Sequence, residues 1–160
     1  MKYKILIVED DRFWEDMKRY KQVRFTLPEG EKRIEPIVVH GDVDVHKLIR
    51  KHKPDLVSFN GILPPDNLFE TVKKLKKVIA KNIPIAAVSF LPPLNIPKNY
   101  DDWFKIGLKD FYYTLVPYDR TIDFYLHILT TKTKDYYPRF YGGQLYWGAK
   151  MEWLGLRKDK

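Results

Sequence analysis

The chain contains no cysteine, which excludes disulfides, thiolate nucleophiles and cysteine-based zinc sites. It has no apolar run approaching the roughly 18 to 20 residues that a membrane span requires. The opening stretch, Met1 to Asp11, turns acidic after a few apolar residues, which is not the pattern of a secretory leader. The expectation is therefore a cytoplasmic protein with no membrane partner. Glutamine is confined to two positions while lysine and glutamate abound, a balance that leans towards a thermophilic source. No glycine-rich phosphate loop, Gly-x-Ser-x-Gly elbow or His-Glu-x-x-His helix is present. The four histidines, His40, His46, His52 and His127, lack ligand spacing and are expected at the surface or in packing.

What is present is globular. With 160 residues, 44% of them hydrophobic and 15% aromatic, the chain has enough apolar material for one domain with a core and a short appendage. The formal net charge is +8. Such a charge fits either an anionic partner such as nucleic acid or a lysine-rich solvated surface.

Up to about residue 130, short apolar runs alternate with stretches of helical period. Lys4 to Val8 is rich in β-branched residues and apolar on both faces, as a buried parallel strand requires. Phe13, Trp14, Met17 and Tyr20 then recur at helical spacing, with Asp10 or Asp11 as N-cap. A second strand is expected over Ile34 to His40, followed by a short helix with Val45, Leu48 and Ile49 inward. The third strand is expected over Leu56 to Phe59, with the turn-forming pair Asn60-Gly61 opening the next loop. The spacing of Leu68, Val72, Leu75 and Ile79 predicts a helix over 66–81, its lysines facing water. Fourth and fifth strands are expected over Ile85 to Ser89 and Asp110 to Val116. A short helix near residues 100–106 lies between them, and a last helix after Tyr118 carries Ile122, Tyr125, Leu126 and Leu129.

Five strands alternating with five helices imply an α/β fold, a doubly wound five-stranded parallel sheet covered on both faces in a three-layer sandwich. Such sheets place their sites at the carboxyl ends of the strands. The residues to consider are thus Glu9, Asp10 and Asp11, Asn60, Ser89, and the segment from Thr114 to Pro117. Residues 131–160 differ: seven of the thirty are aromatic, and seven basic residues stand against three acidic ones. Gly142-Gly143 between aromatic runs suggests a hairpin. The domain organisation expected is residues 1–130 as the fold and 131–160 as an aromatic, basic extension.

Four segments in register resemble response-regulator receiver domains. Ile5 to Asp11 is similar to that family's first strand and acidic pair, and Pro54 to Pro64 to its third strand and following loop. Pro84 to Ser89 resembles the fourth strand with its terminal hydroxyl, and Gly107 to Phe111 the start of the fifth. The resemblance implies a flavodoxin-like fold. It also implies a site in which two acidic side chains hold magnesium beside a phosphorylatable aspartate, with a lysine and a Ser/Thr on the phosphoryl group. Glu9 and Asp10 match the acidic pair and Ser89 the hydroxyl. The acceptor position is Asn60, and a neutral carboxamide is no nucleophile. The lysine position falls on Val116, counting back from Pro117, or on Thr114, counting forward from Gly107, and neither is a lysine. The resemblance further implies a switch aromatic on the fifth strand, for which Tyr113 and Phe111 are candidates.

The expectation is a pseudo-receiver, not an enzyme, that regulates by protein contact without phosphorylation. Glu9 and Asp10 either cap the first helix or hold a magnesium ion weakly with the Asn60 amide oxygen; otherwise no cofactor is expected. Thirty residues are too few for a winged-helix output domain, so the extension is read as a packing or homodimer element built on aromatic area. The alternative is a nucleic-acid-binding regulator in which Arg139, Lys150, Arg157 and Lys158 contact phosphates.

Overall fold

In the computed structural model the described residues are 1–9, 25, 27–40, 43–61, 72–77, 82–89, 105, 107–113, 120–132 and 134, with only the backbone described at 61, 89, 111 and 113. Five strands are present: β1 (Tyr3–Glu9), β2 (Ile34–His40), β3 (Leu56–Gly61), β4 (Ile85–Ser89) and β5 (Leu108–Tyr113). The helical segments are α1 (Val45–His52), α2 (72–77) and α3 (Thr121–Thr130). All strand pairs are parallel, in the order β2-β1-β3-β4-β5. This is the doubly wound five-stranded sheet expected from the alternation of elements.

The strand alternation divides the core into two layers. Ile5, Ile7, Leu56, Ala86, Val88 and Tyr112 pack against Ile122, Phe124, Tyr125 and Ile128 of α3. Leu6, Val8, Val57, Phe59, Ile85 and Ala87 face the other way, against Ile49 of α1 and Val72 and Leu75 of α2. Both faces of the central strands are therefore dry, which is why their sequences read as continuous apolar runs. At the sheet edge, β2 is buried fully only at Ile34, and there it accommodates Pro36, which could not donate to a ladder on both sides.

Three strands differ in their bounds from the sequence reading. Strand β1 runs one residue further at each end than the expected Lys4 to Val8. Asn60 and Gly61, expected to turn, continue β3, because Asn60 is flanked by Glu9 of β1 and Val88 of β4 in the ladders. Strand β5 starts two residues early, at Leu108. Its register against β4 slips by one, Ile85 facing Leu108 while Ala86 faces Asp110, so that Lys109 is the extra residue of a bulge. In the last helix, Ile122 and Tyr125 are buried, Leu126 and Leu129 are only partly so, and Phe124 and Ile128, which the helical spacing does not single out, complete the core face. The first helix, the greater part of the helix over 66–81, and nearly all of 131–160 lie outside the described residues.

Helix α1 starts on Asp44, whose side chain accepts from the Lys47 N–H at 3.0 Å, satisfying a donor that the first turn leaves without a partner. It ends on Lys53, which adopts the left-handed conformation at φ 48° while its N–H donates to the Ile49 carbonyl. A side chain there carries a steric cost that glycine avoids. Lys53→Gly is therefore expected to stabilise the fold by about 0.5 to 1 kcal/mol, read as a higher urea midpoint at unchanged slope. A lower midpoint would contradict the cap assignment.

Candidate functional site

The carboxyl ends of β1, β3 and β4 bring Glu9, Asn60 and Val88 side by side. Because strand side chains alternate, Ser58 and Asn60 share the face that looks onto α3. Both are fully buried, at 0% exposure. Opposite them stands Tyr125, also fully buried, carried by the inward face of α3.

These three side chains close a ring of hydrogen bonds. The Tyr125 hydroxyl donates to Ser58 Oγ at 2.8 Å, Ser58 Oγ donates to Asn60 Oδ1 at 2.5 Å, and Asn60 Nδ2 donates to the Tyr125 oxygen at 3.1 Å. Each member both gives and accepts, so the dipoles run head to tail and polarise one another. Asparagine suits this place because its amide offers an acceptor and a donor at once. Burial drives the Tyr125 phenol far above its ordinary pKa, and the nearby Glu9 adds to that, while the bonds to Ser58 and Asn60 oppose it. The phenol therefore stays protonated and available to donate.

Glu9 lies next to the ring and is only 2% exposed. Its Oε1 accepts from the Phe25 N–H at 3.3 Å, and its Oε2 lies 3.3 Å from Nδ1 of His40, its cross-strand neighbour on β2. Phe25 also places its ring beside Tyr125, centroids 6.4 Å apart. The carboxylate is thus drawn towards position 25 and the sheet edge. Among the described residues, no group of three or more His, Cys, Asp or Glu is arranged to hold a metal ion.

Of the other residues singled out from the sequence, Ser89 ends β4 and stands in register with Tyr113, whereas Phe111 is in register with Ala87. The backbone therefore sets Tyr113, and not Phe111, beside the hydroxyl-bearing residue. Asp10, Thr114, Val116, Arg139, Lys150, Arg157 and Lys158 lie outside the described residues. Three site residues were missed: Ser58, Tyr125 as a polar group, and His40 as the neighbour of Glu9. The signal for Ser58 was its position two residues before Asn60 in an otherwise apolar strand. Tyr125 enters the sequence pattern as one of the residues that mark the last helix, which accounts for its ring and not for its hydroxyl.

No protein-family model matches the chain, and no curated protein does. Solved structures do. A LuxR-family two-component response regulator from Aurantimonas sp. SI85-9A1 superposes with a TM-score of 0.64 at 12% identity, covering 98% of this chain and 100% of that one. A response regulator from Thermotoga maritima gives 0.58 at 11% identity, covering 82% and 100%. The response regulator domain of Thermotoga maritima CheB gives 0.54 at 13% identity, covering 82% and 99%. The fold is the receiver fold. Among the described residues of this receiver-like chain, no helix is long and apolar enough to cross a membrane.

Removing one hydroxyl from the ring leaves buried polar atoms behind. Tyr125→Phe takes a donor from Ser58 and an acceptor from the Asn60 amide, and is expected to cost about 1 to 3 kcal/mol, measured by urea unfolding. A change below about 0.5 kcal/mol, the range of an ordinary neutral substitution, would show that the ring contributes little. Asn60→Asp places a carboxyl in the same dry site beside Glu9, where burial and like charge raise its folded-state pKa above the unfolded value. Stability of that variant relative to wild type is then greatest at acid pH. It falls as pH rises from the ordinary carboxylate range through the raised folded-state value. A deficit independent of pH between mildly acidic and neutral conditions would contradict it.

Proposed function

We propose that this chain is a phosphorylation-independent regulatory module of the receiver fold, working through protein contacts. The observation that carries the reading is the Asn60 carboxamide, fully buried and engaged by Ser58 and Tyr125. An aspartyl phosphate forms only when an ionised, accessible carboxylate attacks an incoming phosphoryl group. Asn60 offers neither the charge nor the access. The receiver fold, the Ser89–Tyr113 register and the acidic run at Glu9 to Asp11 support descent of this surface from a phospho-switch; the amide supports a fixed state in place of a switched one. Regulation in this reading belongs to two-component signalling and needs no bound cofactor.

The partner proposed is a second copy of the chain. Residues 131–160 hold seven aromatics in thirty positions, apolar area that is unfavourable when left in water, and aromatic residues are enriched in interface cores.

Two measurements test the reading. Incubation with acetyl phosphate and magnesium, followed by intact-mass analysis, is expected to leave both the wild type and Asn60→Asp unmodified, the first for want of a nucleophile and the second because residue 60 is buried. A stable phosphoprotein from the wild type would refute phosphorylation independence. One from Asn60→Asp alone would refute the claim that burial seals the site. Light scattering is expected to give twice the 19.2 kDa chain mass for the full chain and a monomer's own mass for a chain ending at Thr130. Equal association states would remove the extension from the interface.

A further inference from the structure

At the opposite end of the sheet from Asn60, the amino ends of β1, β4 and β5 and the end of α3 enclose a recess of about 580 Å³, within the range of small-molecule sites. Its walls are partly apolar, formed by Tyr3, Pro84, Leu108, Ile128 and Leu129. Two lysines, Lys76 and Lys109, also line it.

Neither lysine is there by default. Lys109 is the extra residue of the β5 bulge, and bulges commonly re-aim a side chain towards a site. Lys76 reaches the recess by lying across Gly107. That glycine has φ +110°, and a Cβ on it would come within 2.4 Å of Lys76 Cγ, so only a residue without a side chain lets the stem pass. The Lys76 ammonium then donates to the Ile83 carbonyl at 2.9 Å, which occupies one of its three protons. Burial lowers the pKa of both ammonium groups, and the charge of Lys109 lowers that of Lys76 further. The buried Asp110, next to Lys109 in sequence, offsets part of that cost for Lys109. Among the described lining residues the one carboxylate, Asp55, accepts the Lys4 N–H through Oδ2 at 2.7 Å. Two half-buried cations facing one cavity repel each other, and an anion between them reverses the sign of that interaction.

We infer that this recess is a binding site for a phosphate group, free or carried as a small organic ester, with Lys76 and Lys109 on the phosphate oxygens and any organic body against Tyr3, Ile128 and Leu129. A dianionic tetrahedral group matches two separate point charges, each with protons to give. The site lies at the amino ends of the strands and is independent of residue 60 and of the proposed mode of regulation.

The test is an amide NMR titration of the full chain with inorganic phosphate and, in parallel, glycerol 3-phosphate, each against sodium chloride at matched ionic strength. Saturable shifts centred on Gly107, Leu108 and Lys109 are expected with both phosphates and not with chloride. Tighter binding of the ester identifies an organic ligand, and tighter binding of the free ion identifies phosphate itself; either supports the site. Lys109→Gln, which leaves the Lys76 strut and the core untouched, is expected to weaken binding roughly tenfold or more, the loss of about one charge-assisted hydrogen bond. Lys73→Gln with Lys74→Gln removes two charges from α2 residues that do not line the recess and is expected to leave binding unchanged. The inference is overturned if chloride reproduces the shifts, if no saturable shift appears, or if Lys109→Gln binds as the wild type does.

Discussion

The contact on which the site depends is the one between an amide and a phenol inside the sheet–helix layer. Asn60 gives a proton to Tyr125, Tyr125 gives one to Ser58, and Ser58 returns one to Asn60. A polar group in so dry a place is tolerable only when every member is satisfied. Closing the ring meets that condition and also fixes position, since the three atoms can meet only when α3 lies at one height and rotation over β3. The apolar neighbours Ile122, Phe124 and Ile128 supply attraction without direction. The ring supplies the direction.

This arrangement gives residue 60 a part unlike the one its place in the fold suggests. At the carboxyl end of the third strand of a receiver-like sheet, a side chain ordinarily meets solvent and ligand. Here it turns inward and becomes part of the scaffold. Glu9 follows the same trend, its carboxylate taken up by the Phe25 N–H and approached by His40. Glu9, expected to cap a helix or hold a metal, and Asn60, the amide at the acceptor position, are thus both engaged by partners inside the structure.

The fold was largely legible in the sequence because its signal is coarse. Continuous apolar runs mark strands buried on both faces, and β2 and β4 came out with the bounds expected of them. Where the reading slipped, the cause was local chemistry overridden by neighbours. Asn-Gly favours a turn in isolation, but ladders on both sides hold Asn60 extended. The start of β5 was placed late because the bulge at Lys109 breaks the period-two pattern that marks a strand. The site was less legible. That residue 60 is an amide could be read directly; that the amide faces Tyr125, 65 positions later, depends on how α3 sits on the sheet, which no local pattern encodes.

The bulge in β5 has a reach beyond the residue it displaces. Leu108 belongs to the layer with α1 and α2, yet Tyr112, four positions on, belongs to the layer with α3, although strict alternation would put both on one side. The added residue shifts the phase of the strand at that point, so that residues beyond it face the layers their partners on β4 face. Losing Lys109 would close the ladder into one unbroken alternation, with Leu108 still opposite Ile85 and Tyr112 still opposite Val88 and beside Phe124, its ring neighbour at 5.4 Å. The inserted residue is thus dispensable to either layer, and what would vanish with it is the cation it holds out at the recess.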